Sequence, residues 1–334
     1  MLVKVLNSYE WNQVYSHWKR QYEGLGELDA FNNFFDNEKF FSPKSNTVGI
    51  PLKLAKTMAG EHQVVMSLQI YKQLATHFIE QFPNATPPSS EGLVVKKYQV
   101  IEAFKATTSN HLSKYKNKAK KLNKQRERME AAQEEAKMAK RLVLGEKNYT
   151  FIAIDIEAYE RDHSILLELG WSIFDARTNR LKDQHYLIDS YSNLTNGTFV
   201  EDEKLQFSYG TSVWCSLSQT LKELKKDLDW AVSRDGGFVL VGHGLSSDIK
   251  YLNKQKFMWP TLEGGETLDV NQSACVCILN TDTIYAASIN DLHNPPSLGK
   301  TLNLLGVDTW HLHNSGNDAH YTMQLFLILA GYEG

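Results

Sequence analysis

Short apolar runs with turn-forming residues between them occupy most of the chain after about Tyr149. The runs TFIAIDIEA, LLELGWSIFDA and QHYLIDS predict three successive strands, and GFVLVGHG predicts a further, buried strand. Apolar residues at helical spacing predict helices in SLSQTLKELKKDLDWAVS, SSDIKYLNKQ, GKTLNLLGV and NDAHYTMQLFLILAGY. Strands followed by alternating helix and strand predict an α/β domain, in which helices flank a mixed sheet. The polar stretch between Asp189 and Val213 predicts a long loop.

The first 105 residues have a different pattern, with many aromatic residues at helical spacing. They predict a small, mainly helical N-terminal region, and no residue in it indicates a role. Within it, residues 61–82 predict one amphipathic helix that ends before the turn-rich PNATPPSSEG. The apolar face of that helix comprises Val64, Leu68, Tyr71, Leu74 and Phe78.

Residues 106–147 predict a single charged helix, because no Gly or Pro occurs before Gly145. Its apolar stripe is thin, so a coiled coil is only weakly indicated. Eight basic residues lie close together, namely Lys114, Lys116, Lys118, Lys120, Lys121, Lys124, Arg126 and Arg128. The segment is either a solvated linker or an arm that contacts phosphates, because clustered Lys and Arg release counterions from a nucleic-acid backbone.

The composition is that of an ordinary globular protein, with 42% apolar and 22% charged residues. The net charge of −3 hides an asymmetry. Residues 1–147 hold 23 Lys and Arg against 15 Asp and Glu, whereas residues 148–334 hold 13 against 24. No apolar run is long enough to span a membrane and the start lacks a secretory signal pattern, so we expect no membrane segment and no secretion. Three cysteines without a disulfide framework fit a reducing compartment, the cytoplasm, the nucleus or both.

Acidic residues occur at three points of the predicted α/β domain. Asp155 and Glu157 are two positions apart on a predicted strand, so their side chains leave the same face. Asp248 and Asp318 each fall in the first turn of a predicted helix, and His313 precedes the second of these helices. Taken singly, each acid has a simpler explanation, as a solvated strand residue or as an acid favoured by the helix dipole.

Taken together, the acids indicate a metal-dependent phosphodiesterase site. Two divalent cations about 3.5–4 Å apart can clamp the attacking and leaving oxygens of a phosphoryl displacement. Oxygen ligands suit Mg²⁺ or Mn²⁺, and the sequence offers no Cys/His cluster for zinc. Carboxylates that converge without cations raise one another's pKa, so convergence would make metal close to obligatory. A histidine is suited to take a proton from a nucleophilic water.

The motifs D-I-E, G-H-G-L-S-S-D and H-N-S-G-N-D resemble those of the DEDDh branch of the DEDD exonuclease superfamily. PPSLGKTLNLLGV also resembles the Ser-Leu helix of that family. DIEAYE together with HNSGNDAHYT is similar to a fungal group named for supporting full activity of a DEAD-box mRNA-export helicase. The resemblance covers roughly residues 148–332. It implies a ribonuclease-H-like domain over 148–334. The helix-rich region (1–105) and the charged helical segment (106–147) lie outside the resemblance and rest on the sequence pattern alone.

The resemblance also implies a role for each motif residue. Asp155 would bridge two divalent cations, Mg²⁺ or Mn²⁺. Glu157 and Asp318 would complete the site of the cation that bears the nucleophile, Asp248 would act at the second cation, and His313 would be the general base. Ala158 and Gly244 depart from the family pattern, which usually has Thr or Ser and Asn at these positions.

We therefore expect a metal-dependent 3′→5′ exonuclease that acts on RNA or single-stranded DNA ends. The alternative is a catalytically weak or inactive protein of the same fold, which binds nucleic acid or protein as an accessory factor in mRNA metabolism or export. By resemblance alone, an RNA helicase of mRNA export is an expected partner. An unrelated α/β protein with coincidental acids is a third, weaker option.

Overall fold

The computed structural model describes residues 5–36, 40, 49–146 and 148–333. The chain divides into two compact units, Met1–Arg128 and Met129–Gly334. In the part of the chain that the structure describes, no helix is both long enough and apolar enough to cross a bilayer.

The N-terminal unit combines helices with a small β-barrel. Its strands are β1 (Val5–Glu10), β2 (Ile50–Thr57), β3 (His62–Ser67) and β4 (Lys96–Ala106). They pair antiparallel and close in the order β1-β3-β2-β4. The helices are α1 (Trp11–Gly24), α2 (Leu28–Phe34) and α3 (Leu68–Gln81). The unit therefore contains helices, as expected, together with four strands that the sequence pattern does not reveal.

Aromatic side chains from the three helices fill the core of this unit. Trp18 is fully buried, and its ring lies 5.8 Å from that of Phe78 and 5.9 Å from that of Tyr71. Tyr22 packs against Phe78 at 4.9 Å. Each such ring buries a large apolar area, so these contacts stabilise the unit.

The prediction of one helix over residues 61–82 is wrong in its first third. Residues 62–67 form β3, in which Val64 pairs with Leu54 of β2, and the helix begins only at Leu68. Ser67 marks the boundary because its hydroxyl accepts a hydrogen bond from the N–H of Ile70 at 3.3 Å. Adjacent β-branched residues in HQVVMS favour a strand. An apolar run this short fits the repeat of a helix as well as that of a strand.

The charged segment is helical, as predicted. Helix α4 (Ser109–Lys140) is continuous over 32 residues, and a π-helical turn follows it at Arg141–Glu146. Near its end, Ala139 is buried in a core of the C-terminal unit together with Leu142 and Val143.

The C-terminal unit is built on a six-stranded mixed sheet in the order β12-β9-β5-β6-β7-β8. Its strands are β5 (Thr150–Tyr159), β6 (Asp162–Asp175), β7 (Arg180–Ile188), β8 (Val213–Cys215), β9 (Phe238–Gly242) and β12 (Cys275–Asn280). Strands β5, β6 and β7 are antiparallel neighbours, whereas β9 runs parallel to both β5 and β12. The short strands β10 (Trp259–Pro260) and β11 (Glu266–Thr267) form a separate ribbon. This arrangement confirms the predicted ribonuclease-H-like α/β fold.

Helices cover the sheet as predicted. They are α5 (Leu217–Asp235), α6 (Ser246–Lys254), α7 (Thr281–Ser288), α8 (Leu298–Leu304) and α9 (Ser315–Leu329). Between β7 and β8 the chain has only a 3-10 turn at Asp189–Tyr191, which confirms the predicted long loop.

Alternate residues of β5 enter different cores. Ile154 and Ile156 pack in the core that contains residues of α5, whereas Ala153 packs in the core that contains Phe326 of α9. Because side chains alternate along a strand, Asp155 and Glu157 leave β5 on the face of Ala153, the α9 side.

Candidate metal centre and catalytic site

The two acids of β5 lie beside the acid in the first turn of α6. Asp248 Oδ1 accepts a hydrogen bond of 3.0 Å from the backbone N–H of Ile156, the residue between Asp155 and Glu157. This bond fixes the Asp248 carboxylate against the strand. The preceding turn contains Gly244 at φ +79, a left-handed conformation that Gly adopts freely and Asn also tolerates. The departure from the family's Asn is therefore compatible with this backbone.

The start of α9 brings the fourth acid and the histidine to the same place. The Asn314 side chain caps the helix by accepting a hydrogen bond from the N–H of Asn317. Asp318 lies in the first turn, and its Oδ2 accepts a 2.9 Å bond from the backbone N–H of His313. Among the described residues, Glu157, His313 and Asp318 offer ligand atoms that all lie within 4.8 Å of one another.

Two carboxylate oxygens at the site are buried and unpartnered. No hydrogen-bond donor in the described part of the chain reaches Asp155 Oδ2 or Asp318 Oδ1. A buried anionic oxygen without a donor is unfavourable, so these atoms are suited to a cation that the protein itself does not supply.

The acids raise one another's pKa. Burial raises the pKa of Asp155 well above its usual value, and the charges of Asp318 and Glu157 raise it further. Burial, followed by the charges of Glu168 and Asp318, raises the pKa of Glu157 to about 9. Without a cation, the site therefore favours protonated carboxyl groups at neutral pH.

The pKa values of the two acids on helices, Asp248 and Asp318, are also raised. Burial raises the pKa of Asp248 to about 7, opposed by the hydrogen bond from Ile156. Burial also raises the pKa of Asp318 to about 7, opposed by the bond from His313. Bound divalent cations would stabilise the ionised forms of all four acids, and hard oxygen ligands of this kind suit Mg²⁺ or Mn²⁺. The residues present therefore fit a divalent metal centre.

Glu168 is a buried acid at this site that the motif search missed. It lies on β6 directly opposite Glu157 in the strand register. Its Oε2 accepts hydrogen bonds from the backbone N–H of Ser315 at 3.1 Å and from the Ser315 hydroxyl at 3.3 Å, and it pairs with His185 Nε2 at 2.7 Å. A single acid within the apolar run LLELGW is the signal that could have identified it, because buried acids are rare unless paired.

Close backbone packing holds the start of α9 against β6. A Cβ at Gly170 would lie 2.2 Å from the carbonyl carbon and oxygen of Ser315, so only glycine allows this approach. The long loop supports the same turn from the other side. Asn314 Nδ2 donates to the carbonyl of Glu203, and Asn317 Nδ2 donates to the carbonyl of Gln206. Asp318 and His313 are thereby positioned by contacts far away in sequence.

Comparison with known proteins decides the family. The DEDDh family model described as "DNA polymerase III subunit epsilon-like, C-terminal domain" matches residues 150–329, which is more than half of the chain. The chain belongs to this DEDDh exonuclease-like family.

Three fungal relatives are similar to this DEDDh protein. The "Uncharacterized protein YDR514C" of Saccharomyces cerevisiae is 32% identical over 200 residues, which cover 54% of this chain and 41% of the relative. "Good for full DBP5 activity protein 2" of the same yeast is 30% identical over 207 residues, which cover 56% of this chain and 36% of the relative. The "Uncharacterized nucleolar protein C2C4.08" of Schizosaccharomyces pombe is 32% identical over 182 residues, which cover 52% of this chain and 66% of the relative. The matches thus span between about a third and two thirds of the length of these relatives.

Other histidines of the DEDDh domain are engaged elsewhere. The ring of His311 pairs with Glu203 at 3.0 Å. His243 bonds the Thr281 hydroxyl and the Pro296 carbonyl, and His320 pairs with Asp183. Among the described residues, His313 is the histidine that groups with Glu157 and Asp318.

The cysteines Cys275 and Cys277 are half-buried in β12. Burial raises the pKa of Cys275 to about 12 and that of Cys277 to about 11. Their thiols are therefore neutral at physiological pH, and both side chains pack against buried cores of the unit.

The eight basic residues predicted to contact nucleic acid all lie on α4 within the N-terminal unit. They are not equivalent. Lys116 is half-buried, whereas Lys114, Lys118, Lys120 and Lys121 are exposed, and Lys118 pairs with Glu102 at 2.5 Å. Lys116 and Lys120 line a cleft in that unit.

Proposed function

We propose that the protein is a metal-dependent 3′→5′ exonuclease that hydrolyses phosphodiester bonds of RNA or single-stranded DNA. The supporting observation is the convergence of buried acids beside His313, with unpartnered oxygens on Asp155 and Asp318. A scaffold has no need for such a cluster, because unpaired buried carboxylates destabilise the fold.

Four carboxylates would hold two divalent cations, Mg²⁺ or Mn²⁺. Glu157 and Asp318 lie close enough to share one ion, Asp155 would contribute to both, and Asp248 would serve the second. When bound, such a pair of cations stabilises the charge that develops on the attacking and leaving oxygens. The hydrogen bond from Ile156 keeps the Asp248 carboxylate in a fixed orientation.

His313 would take the proton from the attacking water. Its backbone N–H is bonded to Asp318, so the residue stays at the site while its side chain remains exposed to solvent and substrate. General-base assistance of this kind typically contributes a factor of about 10²–10⁴ to the rate.

The second candidate function is a scaffold that binds nucleic acid or protein as an accessory factor in mRNA metabolism. One relative, "Good for full DBP5 activity protein 2", is named for the activity of another protein rather than for its own. A partnership with an RNA helicase belongs to this candidate. A nuclear location, with or without a cytoplasmic pool, is proposed for either function, and one relative is named as nucleolar.

The deciding experiment is degradation of short 5′-labelled RNA and DNA strands with Mg²⁺, with Mn²⁺ or with EDTA. We expect a ladder that shortens from the 3′ end only with metal, and none with Asp155→Asn. Glu263→Gln is the matched control, because Glu263 is an exposed acid in the β10–β11 turn. A ladder that persists in Asp155→Asn would indicate a contaminating nuclease. Wild-type protein that retains RNA without shortening it would favour the scaffold.

A further inference from the structure

The N-terminal unit contains a polar cleft between β3 and helix α4. Its volume is about 350 Å³, within the range of about 300–1,000 Å³ that is usual for ligand sites. Asn12, His62, Lys116, Asn117 and Lys120 are among the residues that line it.

The walls of the cleft are held together by hydrogen bonds. Asn123 of α4 accepts a 2.6 Å bond from the backbone N–H of His62 and donates a 2.9 Å bond to its carbonyl. Ala119, one turn before Asn123, is buried. Helix α4 is therefore fixed against β3 here, and Lys116 and Lys120, four residues apart, lie on the same side of the helix.

The lysines of the cleft lack protein counter-ions. Within the described residues, no carboxylate oxygen lies within 4 Å of the ammonium group of Lys116 or Lys120, in contrast to Lys118, which pairs with Glu102. Burial lowers the pKa of Lys116, as expected for a cation that is desolvated without a partner. Burial lowers the pKa of His62 as well. The charges of Lys56 and Arg126 add to this effect, and the hydrogen bond that the ring donates to Asn123 Oδ1 opposes it.

Two acids lie within two positions of lining residues in the sequence, and each accepts hydrogen bonds from other side chains. Glu10 accepts bonds from Lys96 Nζ at 2.9 Å and from the Tyr98 hydroxyl at 2.7 Å. Glu61 accepts a bond from Gln63 Nε2 at 2.9 Å. The cleft therefore combines amide donors with two lysines that form no ion pair within the described part of the chain, a combination suited to phosphate oxygens.

We propose that this cleft binds the phosphate backbone of single-stranded RNA or DNA, with Lys116 and Lys120 contacting phosphates and the amides of Asn12 and Asn117 donating hydrogen bonds. The ligand class rests on the proposed function, but binding here does not depend on catalysis. The eight basic residues of α4 therefore differ in their expected contribution to binding. Lys116 and Lys120 carry the site, whereas Lys114 and Lys121 lie on the opposite side of the helix from Ala119.

The test is fluorescence anisotropy of the full chain with a labelled single-stranded RNA in EDTA at several salt concentrations. EDTA prevents metal-dependent degradation, so binding is measured alone. For Lys116→Gln/Lys120→Gln we expect weaker binding and a plot of log K against log salt that is shallower by about 1.4, since each phosphate contact to a single strand contributes about 0.7. Lys19→Gln/Lys72→Gln removes the same charge from exposed positions on α1 and α3 and should leave the slope unchanged.

Three results would contradict nucleic-acid binding in the cleft. One is an unaltered slope in the Lys116/Lys120 variant, with urea unfolding showing that it folds normally. Another is an equal loss in Lys114→Gln/Lys121→Gln, which would indicate a diffuse basic helix. The third is competition by poly-L-glutamate as effective as that by unlabelled RNA, which would indicate an acidic protein partner. Laddering without cleft-dependent binding would refute only the cleft, and cleft-dependent binding without laddering would refute only the exonuclease.

Discussion

The carboxylate of Glu168 accepts a 3.1 Å hydrogen bond from the backbone N–H of Ser315, although 147 positions separate the two residues. Ser315 is the first residue of α9, three positions before Asp318. A buried acid on β6 therefore fixes the helix end that carries one of the proposed metal ligands. The same carboxylate raises the pKa of Glu157, so it both orders the site and adds to its negative charge.

Glu168→Ala should lower the free energy of unfolding by about 1–3 kcal/mol. The change leaves the N–H of Ser315 and the ring of His185 buried without their acceptor, and each unsatisfied buried group carries a penalty of that order. Urea unfolding at neutral pH measures the effect. Glu168→Gln is the matched variant, because its amide oxygen still accepts a hydrogen bond, and it should lose less. Wild-type stability in the Ala variant would show that Glu168 does not hold the helix.

Gly170→Ala should destabilise the C-terminal unit by about 1–3 kcal/mol, the usual effect of overpacking. The added methyl carbon would meet backbone atoms of Ser315 at 2.2 Å, and backbone cannot rotate away as a side chain can. Thermal unfolding measures the loss. Gly24→Ala at the end of α1 is the control, because no atom lies within 4 Å of its added Cβ. That variant should be neutral or more stable, and equal losses in both variants would contradict the packing argument.

Local periodicity was sufficient to predict the placement of the β5 acids. The alternation in TFIAIDIEA predicted both a strand and a common face for Asp155 and Glu157, because a strand repeats every two residues wherever it lies in the fold. The helical spacing of NDAHYTMQLFLILAGY likewise predicted α9, which has Asp318 in its first turn. Both signals come from neighbours within a few positions of each other.

The contacts that position those acids could not be predicted in this way. Glu168 and Gly170 act on Ser315 through pairing of distant segments, and no local pattern encodes which strand a helix end will contact. The barrel of the N-terminal unit was missed for a related reason. β3 is a run of six residues directly before a helix. An apolar run of that length fits the repeat of a helix as well as that of a strand.

His313→Asn should reduce exonuclease activity about 10²–10⁴-fold under the proposed mechanism, because an amide cannot take the proton from the attacking water. His311→Asn is a closely matched control. Both histidines have positive φ, +68 and +52, a conformation that Asn tolerates, so neither change strains the backbone. The ring of His311 pairs with Glu203 rather than with a proposed metal ligand, so its loss should have a small effect. Equal losses in the two variants, measured from initial rates of laddering, would remove His313 from the role of base.

The metal-free protein should become less stable as the pH rises. The pKa of Glu157 is raised from 4.5 to about 9, and those of Asp248 and Asp318 from 3.8 to about 7. Between about pH 4 and pH 9 the native state therefore binds more protons than the unfolded state, and the free energy of unfolding falls with pH across that window. Mg²⁺ binds the ionised native site, so the rise in Tm that it produces should grow with pH. A metal-free Tm that increases between about pH 6 and pH 8 would contradict this linkage.

The variant Asp155→Asn distinguishes the repulsion among the buried carboxylates from their binding of metal, when Tm is measured with EDTA and with Mg²⁺. In EDTA at about pH 8 the variant should have a higher Tm than the wild type. Burial and the charges of Asp318 and Glu157 make the folded wild type either protonate Asp155 or bury its charge, and an amide requires neither. With Mg²⁺ the order should reverse, because the variant lacks an anionic ligand and gains less from the cation. Asp229→Asn, at an exposed position on α5, provides the control and should follow the wild type in both conditions. If Asp155→Asn and the wild type gain equally from Mg²⁺, then Asp155 does not bind the metal and the proposed centre lies elsewhere.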